Sequence, residues 1–345
     1  KEDDNIFDDA LAIFFHSERV VETFCLISPG LIYNNIAVMK IVILDGYSIN
    51  PGDLNWSLIE QFGELTVYDR TSPDKVKERA DGAEILLTNK SKIPGDVINA
   101  LPQLKYIGEL ATGFDNVDID TAARRNIPVC NVPGYSTESV AQLTWALILE
   151  LTYQVKRRSD EVRDGAWVRS KDFCFGHEGL FELQGKTLAL IGLGLIGSAV
   201  ARIGLAFGMK VIAAVRNPDK HRMDGVVFKS VEACFSEADF VSLHCPLTAD
   251  NRQMVNKALI EKMKPSAYFI NTARGGLVNE ADLAEELTNK RIAGAALDVL
   301  SSEPPSKDNP LFNRPNCIIT PHIAWATREA RERLLSESAE NIRTF

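Results

Sequence analysis

Three glycines in the run Leu190-Ile191-Gly192-Leu193-Gly194-Leu195-Ile196-Gly197 are spaced GxGxxG, directly behind the apolar stretch Thr187–Ile191 and directly before a helical pattern, Ile196–Phe207. That placement constrains the fold more than any other feature. Gly192 permits a tight turn, Gly194 lets the backbone approach a pyrophosphate, and Gly197 lets helix and strand pack closely. The free N–H groups at the helix start, at Leu195 and Ile196, then face the phosphates. A purely structural glycine turn is the competing explanation. Strand, turn and helix all in register favour a dinucleotide.

The next apolar run, Val211–Val215, ends without the carboxylate that would bind ribose hydroxyls, and Arg216 follows it. A carboxylate there would repel a 2′-phosphate, whereas a guanidinium grips one in a bidentate fork. Lys220, His221 and Arg222 add positive charge shortly after. The expected cofactor is therefore NADP(H) ahead of NAD(H). A solvated Arg216 in a tolerant site is the plainer alternative.

Around this motif the chain alternates short apolar runs with polar, helix-favouring stretches. In the first series the strand candidates are Lys40–Leu44, Leu65–Asp69, Ile85–Thr88, Tyr106–Leu110 and Val129–Val132. Between them, Ser72–Asp81 and Asp118–Arg125 read as helices, with Ser72 a cap and Pro73 at the first position of the former. A long helix, about Glu138 to Tyr153, follows, with Ser136 or Thr137 as its cap. A Trp-containing arm, Arg157–Leu183, shows no clean period. The second series offers strands at Thr187–Ile191, Val211–Val215, Phe240–His244, Tyr268–Asn271, Ala295–Val299 and Ile318–Thr320. Helices are expected at Ile196–Phe207, Glu280–Thr288 and Thr327–Ile342. The expected fold class is α/β, with two doubly wound parallel-sheet domains.

With 345 residues, 45% of them hydrophobic, the chain has material for two cores. A formal net charge of -9 argues against nucleic acid, which requires a basic surface. The six cysteines form no CxxC pair, so reduced thiols in a cytosolic compartment are expected, with no metal site. No apolar run approaches the roughly 18 residues of a membrane span. Residues 1–38, acidic and then irregularly apolar ahead of the strand opened by Met39, read as a non-native or poorly ordered extension. The last helix reaches the final residue without a cap, as in a chain cut short.

Three polar segments lie behind the glycine motif, each after a strand: Asn271-Thr272-Ala273-Arg274-Gly275-Gly276, Asp298-Val299-Leu300-Ser301-Ser302-Glu303-Pro304 and Thr320-Pro321-His322-Ile323-Ala324-Trp325. Ligands of open α/β sheets sit at the carboxyl ends of strands. Each residue alone has a plainer explanation: a salt-bridged Arg, a solvated Glu, a structural His. An arginine, a carboxylate and a histidine in this order behind GxGxxG reverse those odds, because together they suit reduction of a 2-oxo acid. Of the five histidines, His16 and His177 lie in irregular segments and His221 beside the cofactor-phosphate region. His244 ends a strand and is expected to line the nucleotide site. His322 is left as the acid.

These segments, with Ala111–Asp118 and His244-Cys245-Pro246-Leu247-Thr248, resemble the D-isomer-specific 2-hydroxyacid dehydrogenase family from Met39 to near the end. The resemblance implies a flavodoxin-like substrate domain, 39–137 plus 326–345, and an inserted NAD(P)-binding Rossmann domain, 138–325, with an active-site cleft between them. It further implies cofactor contacts at Pro246, Thr272 and Asp298.

On that resemblance, hydride passes between the nicotinamide and C2 of a small 2-oxo acid. Arg274 grips the carboxylate and carbonyl and stabilises the growing negative charge. His322 donates the proton, and Glu303 accepts the other ring N–H and favours the imidazolium. Backbone N–H groups near Lys90–Ser91 and Thr112–Gly113 finish the carboxylate site.

The segments Thr88-Asn89-Lys90 and His322–Thr327 resemble the glycerate dehydrogenase, or hydroxypyruvate reductase, branch, where Trp325 shapes a small pocket. Hydroxypyruvate and glyoxylate are the favoured substrates. D-lactate-type or phosphoglycerate dehydrogenase is the runner-up, and a nucleotide-sensing corepressor the non-enzymatic alternative. The family implies a homodimer, through the long helix and the arm.

Overall fold

In the computed structural model, residues 38–220 and 222–345 are described. The extension expected over residues 1–38 lies, but for Val38, outside them, as does His221. The chain divides into two compact units: the described residues up to Tyr135 together with Glu332–Phe345, and Ser136–Arg331.

The smaller unit is built on five parallel strands, β1 (Met39–Ile43), β2 (Gly63–Val67), β3 (Ile85–Thr88), β4 (Tyr106–Glu109) and β5 (Val129–Cys130), in the order β2-β1-β3-β4-β5. Val42, Leu86 and Ile107, from three neighbouring strands, enter one apolar cluster with Val76, Val97, Ile98 and Ala122 from the covering helices. The order reverses between β1 and β3, which leaves a crevice at their carboxyl ends. The chain's last turns belong here: Arg333 Nε donates to the Tyr135 carbonyl at 2.9 Å, and the Phe345 ring lies 5.1 Å from that of Tyr106.

The larger unit has seven parallel strands: β6 (Thr187–Ile191), β7 (Lys210–Ala214), β8 (Val226–Phe228), β9 (Phe240–Leu243), β10 (Tyr268–Asn271), β11 (Gly294–Leu297) and β12 (Cys317–Ile319). Their order is β12-β11-β10-β9-β6-β7-β8, so the reversal falls between β6 and β9. Both faces are covered. In β6, Ala189 and Ile191 enter one core while Leu188 and Leu190 enter the other, which is why the strand reads as a continuous apolar run.

Most expected elements appear with small shifts at their ends. Pro73 does occupy the first position of its helix, but the Ser72 side chain makes no cap hydrogen bond there. Ser136 is the N-cap of the long helix Thr137–Tyr153, again without a side-chain bond. The arm differs from expectation. It opens with a regular helix, Val155–Arg163, which buries no residue and so shows no hydrophobic period. Charge pairs one turn apart run along it instead: Lys156 with Asp160, and Arg157 with Glu161 at 2.9 Å.

Candidate active site

The glycine turn sits at the reversal of the larger sheet. Gly192 has φ +104°, and a Cβ on it would lie 2.6 Å from the carbonyl oxygen of His244, which follows β9. Gly197 is equally committed, since its Cβ would meet the Gly192 carbonyl oxygen at 2.4 Å. Gly194 is the N-cap of the helix Leu195–Ala206, and a Cβ there would meet nothing within 4 Å. Two glycines thus close the turn, while the third faces open space beside the unsatisfied N–H groups of Leu195 and Ile196. That open cradle fits a dinucleotide pyrophosphate.

Other residues expected at the cofactor surround the same edge. Burial pushes the His244 imidazole down to about 4, which keeps the ring neutral, and its Nε2 pairs with Ser242 Oγ at 2.9 Å. Pro246 is exposed in the next loop, where its carbonyl accepts from Asn251 Nδ2 at 2.8 Å. Arg216 is exposed just beyond β7. A cavity of about 350 Å³ flanks the glycine turn, lined by Leu193, Ser198, Arg202, Arg222 and Met223. The Thr272 hydroxyl is buried and lies 3.0 Å from that of Thr144 on the long helix.

In the larger unit one backbone crossing joins the Arg274 loop to the Glu303 loop, and side-chain bonds join the latter to the His322 loop. Asn271, fully buried, donates to the Arg274 carbonyl at 2.9 Å and accepts from the Ala273 N–H at 3.0 Å. This fixes the start of the Arg274 loop. Gly275 then crosses the next loop so closely that a Cβ would lie 1.9 Å from the carbonyl carbon of Leu300. The half-buried Arg274 guanidinium donates to the Ala273 carbonyl at 2.8 Å.

Glu303 closes its own loop. One carboxylate oxygen accepts from the Leu300 N–H at 2.9 Å, and the other lies 2.5 Å from His322 Nδ1. His322 sits at φ +53°, a left-handed position rare for a side chain other than glycine. Asp298 supplies the counterweight. Its carboxylate accepts from Thr320 Oγ1 at 2.6 Å and from the N–H groups of Ile323 and Ala324 at 3.0 and 2.8 Å, while its carbonyl accepts from His322 N at 2.8 Å. Burial, partly offset by these bonds, raises the Asp298 pKa. A buried carboxylate needs partners, and for Asp298 the turn bearing His322 provides three of them. Trp325 follows, half-buried.

In the smaller unit one expectation is overturned. The backbone N–H groups of Lys90 and Ser91 both donate to Asp45 Oδ2 at 2.6 Å, and that of Asn89 donates to Asp45 Oδ1 at 2.8 Å. Asp45, two residues past the end of β1, thus takes up the Lys90 and Ser91 N–H groups that were expected to bind a substrate carboxylate. Ser91 is a structural residue, and Lys90 presents an exposed side chain instead. The N–H groups of Thr112 and Gly113 donate to no acceptor among the described residues; the Thr112 hydroxyl is tied to the Val132 carbonyl at 3.0 Å. The Asp45 bonds pair residues more than forty positions apart, with no local signal in the sequence.

Residues 145–324 match the NAD-binding domain of the D-isomer-specific 2-hydroxyacid dehydrogenases. The chain is 43% identical over 312 residues to hydroxypyruvate reductase of Blautia hydrogenotrophica, covering 89% of this chain and 97% of that protein. Among solved structures, an acyclic imino acid reductase complexed with NADPH and D-arginine superposes with a TM-score of 0.78 at 31% identity, covering 89% of this chain and 96% of that one. The NADPH-dependent glyoxylate/hydroxypyruvate reductase of Sinorhizobium meliloti, solved with NADP and malonate, gives 0.76 at 28% identity, covering 89% and 93%. With the folds, the glycine cradle and the histidine–carboxylate pair in agreement, this chain belongs to the D-isomer-specific 2-hydroxyacid dehydrogenases, oxidoreductases that use a nicotinamide cofactor.

Proposed function

We propose that the protein reduces small 2-oxo acids, hydroxypyruvate and glyoxylate first among them, with NADPH preferred over NADH. The observation that carries this reading is the His322–Glu303 contact at 2.5 Å, on a turn fastened by Asp298 and beside the loop crossing that anchors Arg274. The bound cofactor supplies the hydride. Arg274 binds the substrate carboxylate and stabilises charge growing on the C2 oxygen, where a fixed guanidinium costs no reorganisation. His322 Nε2 gives that oxygen a proton, because its Nδ1 is held by Glu303. Asp298 positions His322. From the smaller unit, the backbone N–H groups of Thr112 and Gly113 and the side chain of Lys90 are assigned to substrate binding. Trp325 limits the substrate's size.

The preference for NADPH is supported by Arg216 and by the two guanidinium groups of the cavity beside the glycine turn, Arg202 and Arg222. Exposed Val155, Trp167, Val168 and Phe173 in the arm, the last two 90% exposed, support a homodimer that covers them. Among the described residues no helix is long and apolar enough to cross a membrane, and Cys130, Cys174, Cys234, Cys245 and Cys317 are free thiols, which supports a cytosolic enzyme.

Oxidation of NADPH and NADH by the purified protein is to be measured with hydroxypyruvate, glyoxylate, pyruvate and 3-phosphohydroxypyruvate. Hydroxypyruvate and glyoxylate are expected to give the highest kcat/KM. A higher value with pyruvate would replace this substrate class by the D-lactate type, and no turnover with any of the four would sink the reading.

A further inference from the structure

Glu109, the last residue of β4, is 1% exposed, and neither of its carboxyl oxygens has a hydrogen-bond partner. It pairs in register with Thr88 at the end of β3, at the floor of the loops carrying Lys90 and Thr112. The charged groups facing it are Lys90, Asp45 and Asp115. The Asn116 amide lies beside it, gives one N–H to the Ser91 carbonyl at 3.1 Å, and opposes, without overcoming, the effect of burial on Glu109. Both Asp45 carboxyl oxygens are occupied, accepting from three backbone N–H groups. A charged carboxylate in this position would be a buried ion without a partner, which proteins avoid. Two carboxylates nearby make the charged form less favourable still.

We propose that Glu109 is held as a neutral carboxylic acid beneath the substrate-side loops of the smaller unit, and that its ionisation draws the Lys90 ammonium inward, away from the substrate. Glu109 is thus a positioning residue acting through Lys90. Lys90 is the cation that can respond. Its backbone is pinned by Asp45, so only its exposed side chain is at liberty to turn. Desolvation, opposed by Asn116 and Lys90, pushes the Glu109 carboxyl up to about 9, so the change falls on the alkaline side. This inference rests on the assignment of Lys90 to substrate binding.

Two measurements on wild type and Glu109→Gln test it. The first is the melting temperature as a function of pH. Glu109 keeps its proton in the folded protein up to about 9, whereas the unfolded chain loses it near the ordinary carboxylate value. Folded protein therefore binds one more proton between those limits, and wild type loses stability relative to the isosteric, uncharged variant as pH rises through them. The melting-temperature gap is expected to widen from about pH 5 to about pH 9 and then level off; a constant gap overturns the neutral carboxyl. The second is KM for hydroxypyruvate. If the protonated form alone binds well, wild-type KM rises about tenfold by one pH unit above the Glu109 pKa, while the variant lacks that rise. The same rise in both proteins overturns the link to Lys90. If Glu109→Gln does not fold, Glu109→Leu serves in both measurements. A protein inactive at neutral pH refutes the substrate assignment, yet the melting curves still report the state of Glu109.

Discussion

The Gly275 Cα lies so close to the Leu300 carbonyl that a methyl group between them would sit 1.9 Å from its carbon. The arginine loop and the loop leading to Glu303 therefore hold a fixed spacing set by bare backbone. Gly275→Ala forces them apart, and backbone cannot yield as a flexible side chain can. The variant is expected to lose about 3 kcal/mol of stability and more than about tenfold in kcat/KM. Denaturant titration and steady-state kinetics check both numbers.

The pairing of His322 with Glu303 predicts two unequal losses. His322→Gln removes the proton donor and is expected to lower kcat by about 10²–10⁴ while NADPH still quenches tryptophan fluorescence as in wild type. Glu303→Gln keeps the imidazole but replaces the carboxylate that orients it, so a smaller fall in kcat, with little change in cofactor affinity, is expected. Near-normal turnover of His322→Gln would remove the histidine from its role.

Arg274→Lys separates charge from shape. An ammonium retains the charge but cannot reproduce the planar fork. KM for the oxo acid is expected to rise and kcat to fall together. An unchanged KM would mean that the guanidinium does not hold the carboxylate.

Cofactor choice is tested at the end of β7. Arg216→Ala is expected to raise KM for NADPH by about tenfold, equivalent to about 1.4 kcal/mol, with KM for NADH unaffected. Equal effects on both cofactors would place Arg216 away from the 2′-phosphate.

His244 predicts acid lability. Its folded pKa, about 4, lies below the ordinary value of 6.5, so the unfolded chain binds the proton that the folded one refuses. The His244 contribution to stability is intact above about pH 6.5 and is lost as pH falls toward 4, by about 3 kcal/mol at the limit. His244→Gln should flatten that part of the stability curve.

Local signals account for what was legible from residue order. The ends of β6, β10 and the helix Glu280–Thr288 follow from apolar runs bounded by glycine, asparagine and threonine. Gly192, Arg274, Glu303 and His322 stand at strand ends, where open sheets collect ligands. The remainder depends on distant partners. Strand β8 is three residues at a sheet edge, with Val227 exposed, and carries too little pattern to register. The helix Val155–Arg163 is written in charge spacing, so a search for apolar periods passes over it. Asp45 and Asp298 bind loops more than twenty residues away, and their roles emerge only after the strands have been ordered. Glu109 looks like an ordinary strand-end carboxylate until the fold encloses it.

The smaller unit takes its final segment, Glu332–Phe345, from the far end of the chain. On the ribosome, its first five strands emerge long before the residues that cover Tyr106. That unit must wait through the synthesis of nearly two hundred intervening residues, Ser136–Arg331, before its own packing is finished. A nascent chain stalled before Glu332 would lack the helical segment that brings Phe345 against Tyr106, so this unit can close only after the whole of the other has been synthesised.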